Sequence, residues 1–243
     1  MPSLTLPDRL IWFAHCPKAG GTSVEQFMVA RWGDAVGHLH WGWDRWWRSG
    51  GWRLAAPPNS PQHLVWEDAV SALPRAPDAV FAVVRDPVAR MTSEYRWQRG
   101  GQCRSWLGRL MAFLPFSFWL RLMLAAAGRA PHAFDNHFRP QSDFVPEMAA
   151  VFRLENGLNQ VADWLAAITG EQITEDRFPH ALPTQNRTQI SSCDRALIAR
   201  NFAVDYYRFG YVPETGLPQR GLADRLAEIC APLVAGLDRR GWL

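Results

Sequence analysis

The sequence predicts an α/β fold, a central and mostly parallel sheet with helices over both faces. Three observations carry that expectation. Short apolar runs recur along the chain, and most are followed by a stretch with helical spacing. One run, AVFAVV at 79–84, is apolar throughout, as a strand buried on both faces must be.

Taken in order, LIWFAH at 10–15 is a short strand ending in a Pro- and Gly-containing turn, and TSVEQFMVARW at 22–32 is a helix that Thr22 or Ser23 could cap. HLVW at 63–66 is a second strand candidate and 79–84 a third. DPVARMTSEYRWQ at 86–98 opens as a helix should, with Asp86 as N-cap and Pro87 in the first helical position. AAVFRLEN at 149–156 is a fourth strand running into a helix at 157–170. The Pro-rich stretches at 54–62 and 178–189 read as loops, and no internal repeat is present.

At 243 residues the chain is expected to form one domain, long enough to bury a generous core. The net charge of +3 gives no argument for a nucleic-acid partner. The charge is unevenly spread: nine arginines lie between Arg85 and Arg139 against three acids, which suits an anionic ligand or a solvated basic face. The four cysteines show neither paired nor zinc-like spacing, so reduced thiols and a cytoplasmic location are expected. No signal peptide is apparent at the N-terminus. The most apolar stretch, 110–128, is interrupted by Pro115 and Arg121 and is too broken for a membrane span.

Two motifs carry chemistry. FAHCPKAGGTSV at 13–24 holds the only lysine among 26 basic residues. A strand, a glycine turn and a helix start form a natural anion cradle, in which backbone N–H groups and the helix dipole face a negative charge. Gly20 and Gly21 allow close backbone approach, Thr22 and Ser23 add hydroxyls, and Lys18 brings a compact ammonium that a planar guanidinium would not replace. The lysine precedes both glycines, unlike a Walker A loop. The second motif, VVRDPVARMTSEY, ends a strand with Arg85 and opens a helix carrying Ser93. Eight residues turn a helix through about 800°, so Ser93 points roughly as the helix start does, toward a second phosphate. Two anion sites at two strand ends imply a nucleotide phosphorylated at two positions.

These motifs resemble those of the sulfotransferases that use 3′-phosphoadenosine 5′-phosphosulfate, in the branch of heparan-sulfate 2-O and chondroitin-type carbohydrate enzymes and their bacterial relatives. HCPKAGGTS is similar to that branch's 5′-phosphosulfate loop, with Ala19 where threonine is usual, and RDPVARMTSEY is similar to its 3′-phosphate motif. DNHFRPQSDF at 135–144 and VDYYRFGY at 204–211 resemble two further family segments, so the resemblance spans about residues 10 to 211.

The resemblance implies a P-loop-like three-layer α/β/α fold and a single sulfotransferase domain over 1–243. It implies that Lys18, Gly20, Gly21, Thr22 and Ser23 hold the 5′-phosphosulfate, that Arg85 and Ser93 hold the 3′-phosphate, and that Asn186 and Arg187 lie in a loop closing over the nucleotide. No metal is required, and the product is 3′-phosphoadenosine 5′-phosphate.

Sulfuryl transfer needs in-line positioning and charge stabilisation, which Lys18 would supply at the leaving oxygen. A general base must take the acceptor's proton. His63 is the first candidate, by analogy with a histidine-bearing segment of the 2-O branch, followed by His137 and then Glu25. His15 reads as a strand-end residue near the cofactor. On the acceptor side, the segment at 38–53 contains five tryptophans, and Trp41 and Trp43 are candidate stacking platforms for a sugar, with His137 and Arg139 as further acceptor contacts. A hydrophobic lid or dimer contact is the other reading of that cluster. The apolar insert at 104–130 fits an acceptor cover, a contact with a membrane interface, or a core helix pair broken at Pro115. A carbohydrate or glycolipid acceptor would reconcile both stretches. The competing classes are a kinase using ATP, disfavoured by the lysine's position, and a non-catalytic glycan- or membrane-binding protein on the same fold.

Overall fold

The computed structural model describes residues 2–37, 61–72, 75–100, 111, 113–130, 132–173, 178, 188–214 and 221–238. The chain divides into two compact units, one of Met1–Arg85 with Asp143–Thr184, the other of Asp86–Ser142 with Gln185–Leu243. The fold is α/β.

The first unit holds a five-stranded mixed sheet in the order β3-β1-β2-β4-β5, with β1 at Ser3–Thr5, β2 at Leu10–His15, β3 at Val36–Gly37, β4 at Ala79–Val84 and β5 at Ala150–Arg153. β2, β4 and β5 run parallel, with His15 beside Val83 and Val84 beside Arg153. β1 pairs antiparallel with both β2 and β3, so the expected parallel sheet carries a short antiparallel edge. The parallel register brings the carboxyl ends of three strands to one edge, where open α/β sheets bind their ligands.

β2 is buried along its whole length, as its uninterrupted apolar sequence requires. One face of the sheet, with Ile11, Phe13, Phe81 and Val83, packs against Val24 and Met28 of α1 (Gly21–Trp32) and against Val161 and Leu165 of α5 (Asn159–Thr169). Phe13 stacks on Phe81 at 4.9 Å between ring centroids. The other face presents Trp12, tilted against Trp66 at the head of α2 (Trp66–Ala72). The expected strand at 63–66 is therefore not formed. His63 closes a 3₁₀ turn at Pro61–His63 and Trp66 begins a helix whose first turn carries Glu67 and Asp68, a favourable charge for an N-terminus.

The second unit is helical. α3 (Pro87–Arg99) starts as its sequence dictates, with Asp86 accepting a hydrogen bond from Ala89 N at 2.9 Å and Pro87 following. α4 (Phe116–Ala127) begins directly after Pro115, and its Trp119, Leu120, Leu122, Met123 and Ala126 are buried. This part of the apolar insert is a core helix. It shares a cluster with Met91 and Tyr95 of α3, with Ile198 of α6 (Ser192–Asn201), with Tyr206 of α7 (Ala203–Phe209) and with Ala227, Ala231 and Val234 of α8 (Leu222–Asp238). Among the described residues, no helix is long and apolar enough to cross a membrane.

Two of the nine arginines between Arg85 and Arg139 prove to be internal fasteners rather than ligand-facing charges. Arg121 pairs with Asp194 at 2.8 Å and Asp224 at 3.0 Å, joining α4 to α6 and α8. Burial would push the Asp194 carboxyl up, but hydrogen bonds from Ser117, Arg121 and Ser191 hold it below its ordinary value. Arg90 is fully buried, and its Nη2 donates to the carbonyls of His137 and Arg139, each at 2.7 Å.

Candidate functional site

The segment from His15 to Ser23 joins β2 to α1 through a tight loop. Lys18 has φ 63° and Gly20 φ 87°, both left-handed. For Gly20 that conformation carries no Cβ penalty. For Lys18 it costs about 1–2 kcal/mol, a strain that surrounding structure must hold in place. Ala19 N donates to Cys16 O at 3.3 Å, and Ser23 N donates to Gly20 O at 3.1 Å. Gly20 is the N-cap of α1, so neither Thr22 nor Ser23 performs the capping expected from sequence. No side chain caps the helix, and its first turn carries no acid. An anion would find left-handed loop backbone and a positive helix end, the ingredients of a backbone nest. Arg85, just beyond the end of β4, donates from Nη1 to Lys18 O at 3.3 Å, so the second predicted cation adjoins the first loop.

The two glycines are required for different reasons. A Cβ on Gly20 would lie 2.9 Å from Leu154 Cδ1, beyond the end of β5, and the left-handed φ would be strained as well. A Cβ on Gly21 would lie 1.9 Å from His15 Nε2. The imidazole thus occupies the space that a side chain at 21 would fill.

His15 and Glu25 are both buried, 3% and 1% exposed. His15 Nδ1 lies 2.8 Å from Glu25 Oε1, a close contact that is not a well-aligned hydrogen bond. The same oxygen accepts from Gln62 Nε2 at 2.9 Å. Burial would raise the Glu25 carboxyl. Burial is the largest single influence, but the adjoining His15 ring and smaller contributions from other nearby groups together outweigh it and hold the group below the ordinary carboxylate value. His63 stands edge-on to His15 at 5.0 Å between centroids, itself 8% exposed. One carboxylate therefore anchors both the strand end behind the loop and the turn that carries the predicted base.

The structure brings Lys18, Gly20, Gly21, Thr22, Ser23, Arg85 and His63 into the first unit. Ser93, His137 and Arg139 belong to the second. Ser93 is half-buried on α3. His137 Nδ1 lies 2.7 Å from Glu94 Oε2, and Glu94 Oε1 accepts from Gln98 Nε2 at 2.9 Å. Gln98 Oε1 in turn accepts from Trp119 Nε1 at 2.8 Å, which ties the pair into the helical core. Immediately before His137, Phe134, Asp135 and Asn136 are all left-handed, with φ 56°, 52° and 62°. Trp41, Trp43, Asn186 and Arg187 lie outside the described residues.

Sequence reasoning missed the pairing of His15 with Glu25, the bridging role of Gln62 and the pairing of Glu94 with His137. A charged residue on the buried side of an otherwise apolar helix face, as Glu25 is between Val24 and Met28, is the signal that could have shown the first. No family model matches this chain, and no curated protein or solved structure matches it.

Proposed function

We propose that this chain is a sulfotransferase, moving a sulfuryl group from 3′-phosphoadenosine 5′-phosphosulfate to a hydroxyl of a carbohydrate or glycolipid. The observation that carries the reading is the loop from Lys18 to Ser23. It combines a left-handed turn, an acid-free helix start and two cations, one of which is the sole lysine, at the carboxyl edge of parallel strands. The strand–loop–helix unit at 10–32 beside a parallel β4 is also what a P-loop-like three-layer α/β/α fold requires.

In this reading the donor supplies a sulfuryl group bonded to a phosphate leaving group. Backbone N–H groups at the start of α1, with Thr22 and Ser23, orient the phosphosulfate. Lys18 neutralises the bridging oxygen as the S–O bond breaks, and Arg85 and Ser93 recognise the 3′-phosphate. His63 takes the proton of the attacking hydroxyl as the new S–O bond forms.

Calorimetric binding of 3′-phosphoadenosine 5′-phosphate, against 5′-AMP and ATP, tests the donor half. Binding is expected to need the 3′-phosphate and to fall at least tenfold in Arg85→Ala, the loss of one charge-assisted contact of about 1.5–3 kcal/mol. Equal binding of 5′-AMP would overturn the two-phosphate reading, and preference for ATP with magnesium would favour a kinase.

A further inference from the structure

We infer that the outer face of α8 is a homodimer surface, on which the same helix of a second copy of this chain packs antiparallel. The inference is independent of the chemistry assigned to the loop at Lys18–Ser23 and uses the second unit alone.

α8 already has a buried face, where Ala227, Ala231, Val234 and Ala235 join the helical core. A helix with one side in the core is expected to be polar on the other. α8 instead carries Leu222, Leu226, Ile229 and Leu233 on its outer side, 73%, 44%, 73% and 66% exposed. At about 100° per residue they fall within about 60° of one another, nearly opposite the buried residues. Their spacing alternates four and three residues, the repeat of a coiled-coil seam, in which apolar side chains of one helix fit between those of a second. A single exposed leucine needs no explanation, but a continuous stripe about 16 Å long marks a contact surface.

The stripe fits a copy of itself. A twofold axis crossing α8 between Ala227 and Glu228 sets Leu222 against the partner's Leu233 and Leu226 against the partner's Ile229, so each residue of the stripe meets another apolar one. The flanks fit as well. Arg225 and Glu228, both exposed, border the same side of the stripe. The axis brings each Arg225 within about 3 Å, measured along the helix, of the partner's Glu228, which gives two symmetric pairs of opposite charge. On the other side stand Ala223 and Cys230, neither of them charged. A parallel arrangement would set Arg225 beside the partner's Cys230 and lose both charge pairs. A membrane surface is the poorer match, because the stripe has no aromatic residue and its border of one arginine and one glutamate lacks the basic excess that draws a helix to anionic lipid. Two helices meeting over about 16 Å bury less than the about 800 Å² per copy of a standard complex, so a dimer of about micromolar strength is expected.

Sedimentation equilibrium of the full chain from about 1 to 100 µM tests this, and the wild type should move from one chain mass toward two across that range. Ile229→Lys alters an exposed site that the core does not use. It should weaken association at least tenfold and leave the circular dichroism spectrum unchanged. Arg225→Glu should weaken it about three- to tenfold, and adding Glu228→Arg should restore it, since the exchange rebuilds both pairs. A wild-type chain that stays monomeric to about 100 µM overturns the inference, as does a dimer that Ile229→Lys leaves intact. A dimer indifferent to both charge variants overturns the antiparallel pairing. Flotation with phosphatidylcholine–phosphatidylglycerol vesicles is the remaining arm: a monomer that binds them, and loses that binding in Ile229→Lys, would make the stripe a membrane face and overturn the dimer.

Discussion

Each unit contains a buried imidazole–carboxylate pair beside a left-handed turn, but the two are built with opposite economies. In the first unit His15 faces Glu25 at 2.8 Å, and the turn spreads its left-handed residues over Lys18 and Gly20. Glycine bears part of the strain. In the second, His137 faces Glu94 at 2.7 Å after three consecutive left-handed residues, none of them glycine. Such a run costs several kcal/mol, on the order of 1–2 per residue, and must be held from outside. Arg90 supplies the restraint by gripping the carbonyls of His137 and Arg139. The comparison teaches that a similar dyad can be set by a loop that accommodates its own shape, or by a clamp that enforces one.

The largest effect is expected where the clamp is removed. Arg90→Met should cost about 3–5 kcal/mol in a denaturant titration, because it leaves two carbonyls without their charged donor. A cost below about 1 kcal/mol would mean that something else holds the turn.

In the first unit the largest effect falls on chemistry instead. Under the proposed sulfuryl transfer, Lys18→Arg keeps the charge yet should lower the rate by about 10²–10³, with little change in stability. A rate within threefold of wild type would remove Lys18 from the mechanism.

Gly21→Ala should destabilise by about 1–3 kcal/mol and displace the His15 ring, weakening the proposed nucleotide binding. Gly157→Ala is its control. That glycine has φ 82° and ψ 161° but open space around it, so only the backbone penalty applies, about 1–3 kcal/mol for a conformation essentially reserved to glycine.

Acid should weaken both units. Glu25 and Asp194 each lie below their ordinary values of 4.5 and 3.8, so each contributes stability that is full above those values and is lost as pH falls through the lower folded one. The chain should stay folded to about pH 4 and unfold below it, and Asp194→Asn should flatten that acid transition when followed by near-UV circular dichroism.

The smallest effect belongs to Asp135→Gly, which relieves one left-handed residue and adds chain entropy to the unfolded state. A change of less than about 1 kcal/mol toward greater stability is expected, by thermal melting.

The elements legible in the sequence were those whose signals are local. Continuous apolarity at 10–15 and 79–84 gave β2 and β4, and the Asp86–Pro87 pair marked the start of α3 almost to the residue. The loop from Lys18 to Ser23 was legible because its glycines and its lone lysine are unusual in themselves. The segment at 63–66 was misread because two apolar residues leaving a turn look alike whether a strand or a helix follows. The Glu25–His15 pair was hidden because its partners lie ten positions apart, on a strand and a helix, where neither period relates them. Arg90 and Arg121 were counted with a ligand-facing surplus because an arginine's burial depends on partners that composition does not reveal.

The contact of Gly20 with Leu154 has a temporal consequence. A ribosome releases the loop long before it releases the residue that packs against it, so the loop emerges without its backing and is completed only when β5 joins the sheet. Until then the proposed anion cradle is incomplete, and a ligand held there could assist only the last stage of folding. Deleting the loop's glycines should therefore harm the finished protein without delaying its nascent chain.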